Sequence, residues 1–216
     1  NEKNEVITCS RTQNSDKFWS TIGGMGLTGI IISAKFKLKN IETAYIRQES
    51  IKANNLDEIF QLFDESESWT YNVAWIDCLQ KGKNLGKSVL MRGEHAFRHE
   101  LPKKWQQNPL RLKQKINPTV PFNFPGFVLN KWTVKLFNWL YFNKQHKKEV
   151  KGFVDYETFF YPLDVVKDWN KIYGKEGFIQ YQMVIPKENG KEGMKKILET
   201  IAKSGNGSFL AVLKLF

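Results

Sequence analysis

"TYNVAWIDCLQKGKNLGKSVLMRGEHAF", residues 70–97, contains two runs rich in β-branched and apolar residues, split by a short polar, glycine-containing segment. The runs 70–79 and 87–97 are expected to form strands, and "QKGKNLG" between them a turn. Strands joined by so short a turn fit a largely antiparallel sheet. Upstream, "TAYIRQESIK" (43–52) reads as another strand. "NNLDEIFQLFDES" reads as a helix with an Asn cap and a stripe of Leu56, Ile59, Phe60 and Phe63. Downstream, 154–164 looks extended as far as Pro162, "DVVKDWNKIYG" reads as a helix from Asp164 to Gly174, and 178–186 as a strand. A helix is expected over 191–205, with Met194, Ile197, Leu198 and Ile201 on its core stripe, then a last strand over 207–216. Strands and helices mix without βαβ regularity, so the fold class is α+β, an antiparallel sheet with flanking helices.

The chain has 216 residues, 41% of them hydrophobic, enough for one domain or two small ones. Its formal net charge of +11 suits an anionic partner such as a phosphorylated ligand, an anionic membrane or nucleic acid, and equally suits a merely soluble surface. Cys9 and Cys78 are the only cysteines and carry no zinc spacing, so a reducing compartment is the default. No apolar run is long enough to span a bilayer. The expected location is cytoplasmic, with a peripheral membrane contact compatible with the charge. The chain starts at Asn1 rather than Met, and the expectation is a piece of a longer polypeptide.

Near the start lies "FWSTIGGMGLTGIIISAKFKL" (18–38). Ser15 and Asp16 can cap a short helix over 17–22 that stops at Gly23–Gly24. After the glycines, Ile30, Ile32, Ala34, Phe36 and Leu38 alternate with Ser33, Lys35, Lys37 and Lys39, a half-exposed strand pattern. The glycine cluster is neither a GxGxxG after a strand nor a P-loop. On pattern alone it is equally a tight helix-to-strand turn. Residues 98–126 hold five of the seven prolines and read as a long loop. "GFVLNKWTVKLFNWLYF" (126–142) is apolar on most sides and reads as a helix, buried or surface-seeking.

Few residues suggest chemistry by themselves. His95 and His99 are four apart, but the stretch reads as strand then loop with no third ligand near, so no metal is expected. No Ser–His–Asp or Cys–His arrangement stands out, and no catalytic base is assigned. On a strand, Gln180 and Gln182 would share a face among apolar neighbours, where a sugar's hydroxyls could satisfy them. An exposed edge-strand face is an equal alternative. Lys214 and Phe216 would likewise share a face, with the lysine free to meet solvent or an anionic group.

Together, "FWSTIGGMGLTGI", "NVAWID", "FFYPLDVVKDWNKIYGKEGFIQYQMVIP" and "GSFLAVLKLF" resemble FAD-linked oxidases of the vanillyl-alcohol oxidase and aldonolactone oxidase superfamily, in its branch that supplies the flavin subunit of a two-subunit sugar 2′-epimerase. The resemblance runs from about residue 9 to 216. It implies that 1–40 is the C-terminal part of an FAD-binding domain and that 41–216 is a substrate-binding domain, incomplete at its end. It implies FAD contacts at Gly24, Gly26, Thr28 and Ile31, where the glycines let a dinucleotide lie on bare backbone. Substrate contacts are implied at Trp75, Phe160, Lys171, Gln180, Gln182, Lys214 and Phe216. The implied reaction is oxidation of the C2′ hydroxyl of a phosphorylated or prenyl-phosphate-linked ribose-like sugar, with an NADH-dependent reductase as partner and a role in cell-wall polysaccharide supply. Two positions depart from the pattern. Met25 stands where the family has Asn, and Phe160 where it has Tyr, which removes a phenol from the sugar site. The rival readings are an aldonolactone-type oxidase with a soluble substrate and, from another class, a basic aromatic nucleic-acid-binding module over 102–151. No nucleic acid is expected on the leading reading.

Overall fold

A computed structural model describes residues 6–112 and 115–215. The chain divides into two compact units, Asn1–Asn40 and Ile41–Phe216.

In the first unit, α1 (Ser15–Thr21) begins two residues earlier than expected. Its N-cap is Asn14, held left-handed at φ 48° with no side-chain cap, so Ser15 and Asp16 sit in the first turn and do not cap it. The helix ends in a succession of tight turns: Gly24 N–H donates to Thr21 O at 3.1 Å and Leu27 N–H to Gly24 O at 2.9 Å. The expected strand over 30–38 is not formed. The stretch carries no regular structure, and Ile30, Ile32 and Phe36 are largely exposed. The alternating pattern is present, but a strand exists only as a pairing, and no described residue offers one.

The second unit is built on five antiparallel strands in the order β4-β1-β3-β2-β5: β1 Tyr45–Ala53, β2 Tyr71–Ile76, β3 Ser88–His95, β4 Glu149–Asp155 and β5 Val212–Leu213. The β2–β3 register pairs Ala74 with Leu90 and Trp75 with Val89. Period two sends these pairs to opposite faces. Ala74, Ile76 and Leu90 meet α2 (Leu56–Asp64) and α6 (Lys187–Ser204) through Leu56, Ile59, Phe63 and Leu198. Trp75 and Val89 meet Phe142 and Tyr141 of α4 (Lys131–Asn143). The sheet therefore lies between α2 and α6 on one face and α4 on the other. The Asn55 side chain accepts from Glu58 N–H at 2.9 Å, capping α2 as its sequence suggests. Asn55→Ala is expected to lower stability by about 1 kcal/mol, seen as a lower urea midpoint at unchanged slope.

Several elements differ from expectation. The extended stretch at 154–164 stops at Asp155 and becomes α5 (Tyr156–Phe160), because the Asp155 carboxylate accepts from Thr158 N–H at 2.9 Å and caps a helix there. The helix expected over 164–174 is a 3₁₀ turn, Trp169–Tyr173. It is entered through Asp168 at φ 56° and closed by Gly174 at φ 74°, so Asp164 does not cap it. No strand forms over 178–186, which runs largely exposed to α6. The strand expected at 207–216 shrinks to the two residues of β5.

Residues 98–126 are not a free loop. They carry a short helix, α3 (Lys103–Gln106), and Leu101 is buried against Tyr45 and Ala96. Trp105 stacks on Tyr45 at 4.6 Å, and Pro109 O accepts from Ala44 N–H. Further along, Val120 N–H donates to Lys167 O at 3.0 Å, Lys167 N–H to Pro118 O at 2.8 Å and Phe124 N–H to Lys171 O at 2.9 Å. Proline denies this segment a ladder, and it ties itself to another irregular segment instead.

Candidate functional site

Trp75 organises the most aromatic part of the second unit. It is 4% exposed, its indole N–H donates to Phe209 O at 2.9 Å, and its ring lies 4.6 Å from that of Tyr141. From Phe209 the wall continues to Phe137 at 5.2 Å and to Tyr173 at 5.6 Å. Tyr173 packs on Phe178 at 4.4 Å, and Trp169 lies 5.4 Å from Phe178. Burial pushes the Tyr141 hydroxyl above its ordinary pKa, and burial does the same to Tyr173 against a lowering hydrogen bond with Ser208. Both therefore stay protonated donors well past neutral pH.

Next to this wall is a cavity of about 580 Å³ lined by Asn123, Asn170, Gly174, Lys175, Gly177 and Phe178. Two amides, a lysine and an aromatic ring form a lining suited to a hydroxylated, anionic ligand. The 3₁₀ turn that builds it also carries Lys171, whose ammonium pairs with Asp168 at 3.0 Å. Phe160 lies elsewhere, half-exposed in a second aromatic group with Tyr71 at 4.9 Å and Phe159 at 5.1 Å. Gln180, Gln182 and Lys214 are exposed, and neither glutamine is on a strand, so the period-two argument for a shared face does not apply to them. Phe216 lies outside the described residues.

Two residues near Trp75 have structural duties. The Asp77 carboxylate accepts from Asn138 Nδ2 at 2.7 Å, Gln80 Nε2 at 2.7 Å and Leu79 N–H at 3.1 Å, which ties α4 to the end of β2. The Cys78 thiol is pushed up by burial and donates to Ser208 O at 3.3 Å, so it is held as an inert thiol. His95 packs edge-on to Tyr71 while His99 stacks on Phe97, and the described residues contain no cluster of three or more potential metal ligands.

In the first unit the glycine turn leaves backbone bare. Gly26 has φ 80°, and a Cβ built there would meet nothing within 4 Å. Gly24 is a glycine for a local reason, since its Cβ would fall 2.3 Å from Ser20 O at the helix end. The Thr28 and Thr21 hydroxyls lie 3.0 Å apart, and Ile31 is 66% exposed. An open, left-handed backbone position beside exposed hydroxyl and apolar groups fits a dinucleotide seat.

Sequence reasoning did not single out Tyr141, Tyr173, Phe209 or Asn123. Tyr173 and Phe209 each lie in a quoted motif, but only the fold brings them to Trp75.

No family model matches the chain. It is 39% identical over 207 residues to decaprenylphosphoryl-β-D-ribose oxidase of Mycolicibacterium smegmatis, covering 94% of this chain and 44% of that protein. It is 31% identical over 130 residues to an uncharacterised Streptomyces coelicolor protein encoded in the mprA 5′ region, covering 57% of this chain and 35% of that one. A stretch of 37 residues is 49% identical to cytokinin dehydrogenase 3 of Arabidopsis thaliana. The chain thus spans less than half the length of the curated relatives it matches, and nearly all of it is homologous to the first of them.

Proposed function

We propose that a chain with this kinship is part of an FAD-dependent oxidoreductase that oxidises a hydroxyl of a phosphorylated or prenyl-phosphate-linked ribose, at C2′ and as the flavin subunit of an epimerase working with an NADH-dependent reductase. The observation that carries the reading is the likeness over 94% of the chain to a protein named for oxidising a decaprenylphosphoryl ribose. In this reading the glycine turn, with Gly24, Gly26, Thr28 and Ile31, holds part of the FAD. When bound, FAD supplies two-electron oxidation of an alcohol, chemistry no side chain here can perform.

The chain's own residues bind and orient. Trp75 is buried and fixed by its bond to Phe209 O, so it backs the aromatic wall from behind, while the cavity itself is lined by other residues. Asn123, Asn170 and Lys175 offer donors to hydroxyls and phosphate. Lys171, Gln180, Gln182, Lys214 and Phe216 stand as proposed substrate contacts, whereas Phe160, in its separate group with Tyr71 and Phe159, is not among the residues lining this cavity. The exposure of Gln180, Gln182 and Lys214 means that they would meet the substrate from its solvent side.

The test uses the intact protein that carries this sequence. It should purify with bound flavin, and anaerobic addition of a polyprenyl-phosphoryl ribose should bleach the flavin absorbance. Bleaching by an aldonolactone alone would move the reading to a soluble sugar acid oxidase, and bleaching by neither would end it. Gly26→Val should cut flavin content at least about fivefold by crowding open backbone, read by absorbance of the denatured supernatant, independently of activity.

A further inference from the structure

Helix α4 is apolar on two sides. Its inward side, Val134, Asn138 and Phe142, is buried. Its outward side carries Trp132, Leu136, Trp139 and Leu140, exposed by 75, 58, 59 and 53%. These four fall at i, i+4, i+7 and i+8 and so form one continuous stripe. The helix cannot rotate to hide it. Asn138 is fully buried and bonded to Asp77, and Phe142 is held between the ammonium groups of Lys52 and Lys87, each 4.1 Å from the ring centre. Trp132, Leu136 and Trp139 also line a groove of about 660 Å³ with Leu79, Lys81 and Lys135.

The charged side chains that line the groove, Lys81 and Lys135, are of one sign. Residues 101–148 contain ten lysines and arginines and no aspartate or glutamate. Lys131 and Lys135 lie on the helix itself, and Lys144, Lys147 and Lys148 follow it. Two copies joined face to face through this stripe would bring lysine against lysine. Nucleic acid would need cations and ring faces at the centre of the surface, where Leu136 and Leu140 stand. An anionic bilayer matches both parts: tryptophan and leucine enter the headgroup boundary while lysines flank them at the phosphates. Among the described residues no helix is long and apolar enough to cross a membrane, so the contact would be in the plane of the surface.

We propose that α4 is an interfacial helix that seats the Trp132–Leu140 stripe in the surface of an anionic lipid bilayer. The proposal stands independently of the redox reading.

The experiment is flotation of the intact, detergent-free protein with vesicles of phosphatidylcholine alone or of phosphatidylcholine mixed with phosphatidylglycerol. Binding to the mixed vesicles should be at least about tenfold tighter and should weaken with salt. Lipids brominated on the acyl chain should quench tryptophan fluorescence. Trp132→Ser combined with Trp139→Ser should lower binding at least about tenfold and remove most of the quenching, with far-UV circular dichroism and the thermal midpoint unchanged. Lys131→Gln with Lys135→Gln should reduce the preference for anionic lipid and leave quenching by any bound protein. Failure of the intact protein to float with anionic vesicles overturns the proposal, as does equal flotation of the double tryptophan variant. Self-association abolished by the same variant, without flotation, overturns it in favour of a second copy. Shielding of Trp132 and Trp139 from acrylamide in lipid-free intact protein overturns it in favour of a segment of the longer polypeptide.

Discussion

Glu49→Leu is expected to destabilise the second unit by about 3 kcal/mol or more, because it strands a guanidinium that the fold has taken out of water. Glu49 lies at the centre of the sheet's polar crossing, opposite Arg92 of β3 and Lys151 of β4. One carboxylate oxygen accepts from Arg92 Nη2 at 2.7 Å and Nε at 2.9 Å, and the other meets Lys151 at 2.8 Å. The Glu49 and Arg92 side chains are only 8 and 15% exposed. Arg92 also donates to Ser66 Oγ and lies over the Trp69 ring, so it cannot swing out without losing both. Replacing both partners, Glu49→Leu with Arg92→Met, should recover part of the loss, since an apolar pair can replace a buried ionic one. The effect has a pH signature. Burial works to raise the Glu49 pKa, but the hydrogen bonds with Lys151 and Arg92 prevail and hold it below its ordinary 4.5. A depressed folded pKa means that the carboxylate stabilises fully above the unfolded value, and that this is lost as pH falls through the folded value. Chemical denaturation from pH 7 downward should therefore show the difference between wild type and Glu49→Leu shrinking below about pH 4.5. A constant difference across that range would refute the assignment.

Gly86→Ala should be comparably damaging, at about 3 kcal/mol, a drop of about 10 °C in the thermal midpoint for a chain of this length. Gly86 follows the 3₁₀ turn between β2 and β3 and has φ 83°. A Cβ there would fall 2.7 Å from both the Cα and the N of Leu56, the first residue of α2. Backbone cannot give as the tip of a side chain can, so the hairpin and the helix start would have to part. Gly82→Ala provides the comparison. Its φ is 57° but its Cβ would meet nothing within 4 Å, so it should cost only about 1 kcal/mol of backbone strain. Equal losses for the two would show that the close approach to Leu56 contributes nothing.

What could be read from residues was what depends on neighbours in sequence. The β2–β3 hairpin, the Asn55 cap and the stripe of α2 are local signals, and each appears in the structure. The pairs that fail are those whose outcome depends on distant chain. Residues 30–38 and 178–186 alternate well enough for strands, yet a strand needs a second backbone beside it, and among the described residues neither has one. α5 was hidden because "VDYETFFYPLD" is an apolar run whose length suits strand or helix, and the deciding signal was small: Asp155 three residues before Thr158. For the candidate site, Trp75 was reached only through the family resemblance of "NVAWID". Its companions Phe209, Tyr173 and Tyr141 come from three other elements, and no spacing relates them.

The bonds that join 118–124 to 167–171 have a kinetic consequence. Two segments some fifty residues apart in sequence share their backbone donors and acceptors, so neither can peel away without leaving the other's groups unpaired. They should open as one cooperative unit with one exchange rate. The second segment carries Lys171 and leads into Tyr173, so unfastening the proline-rich segment would loosen one side of the aromatic wall at the same moment.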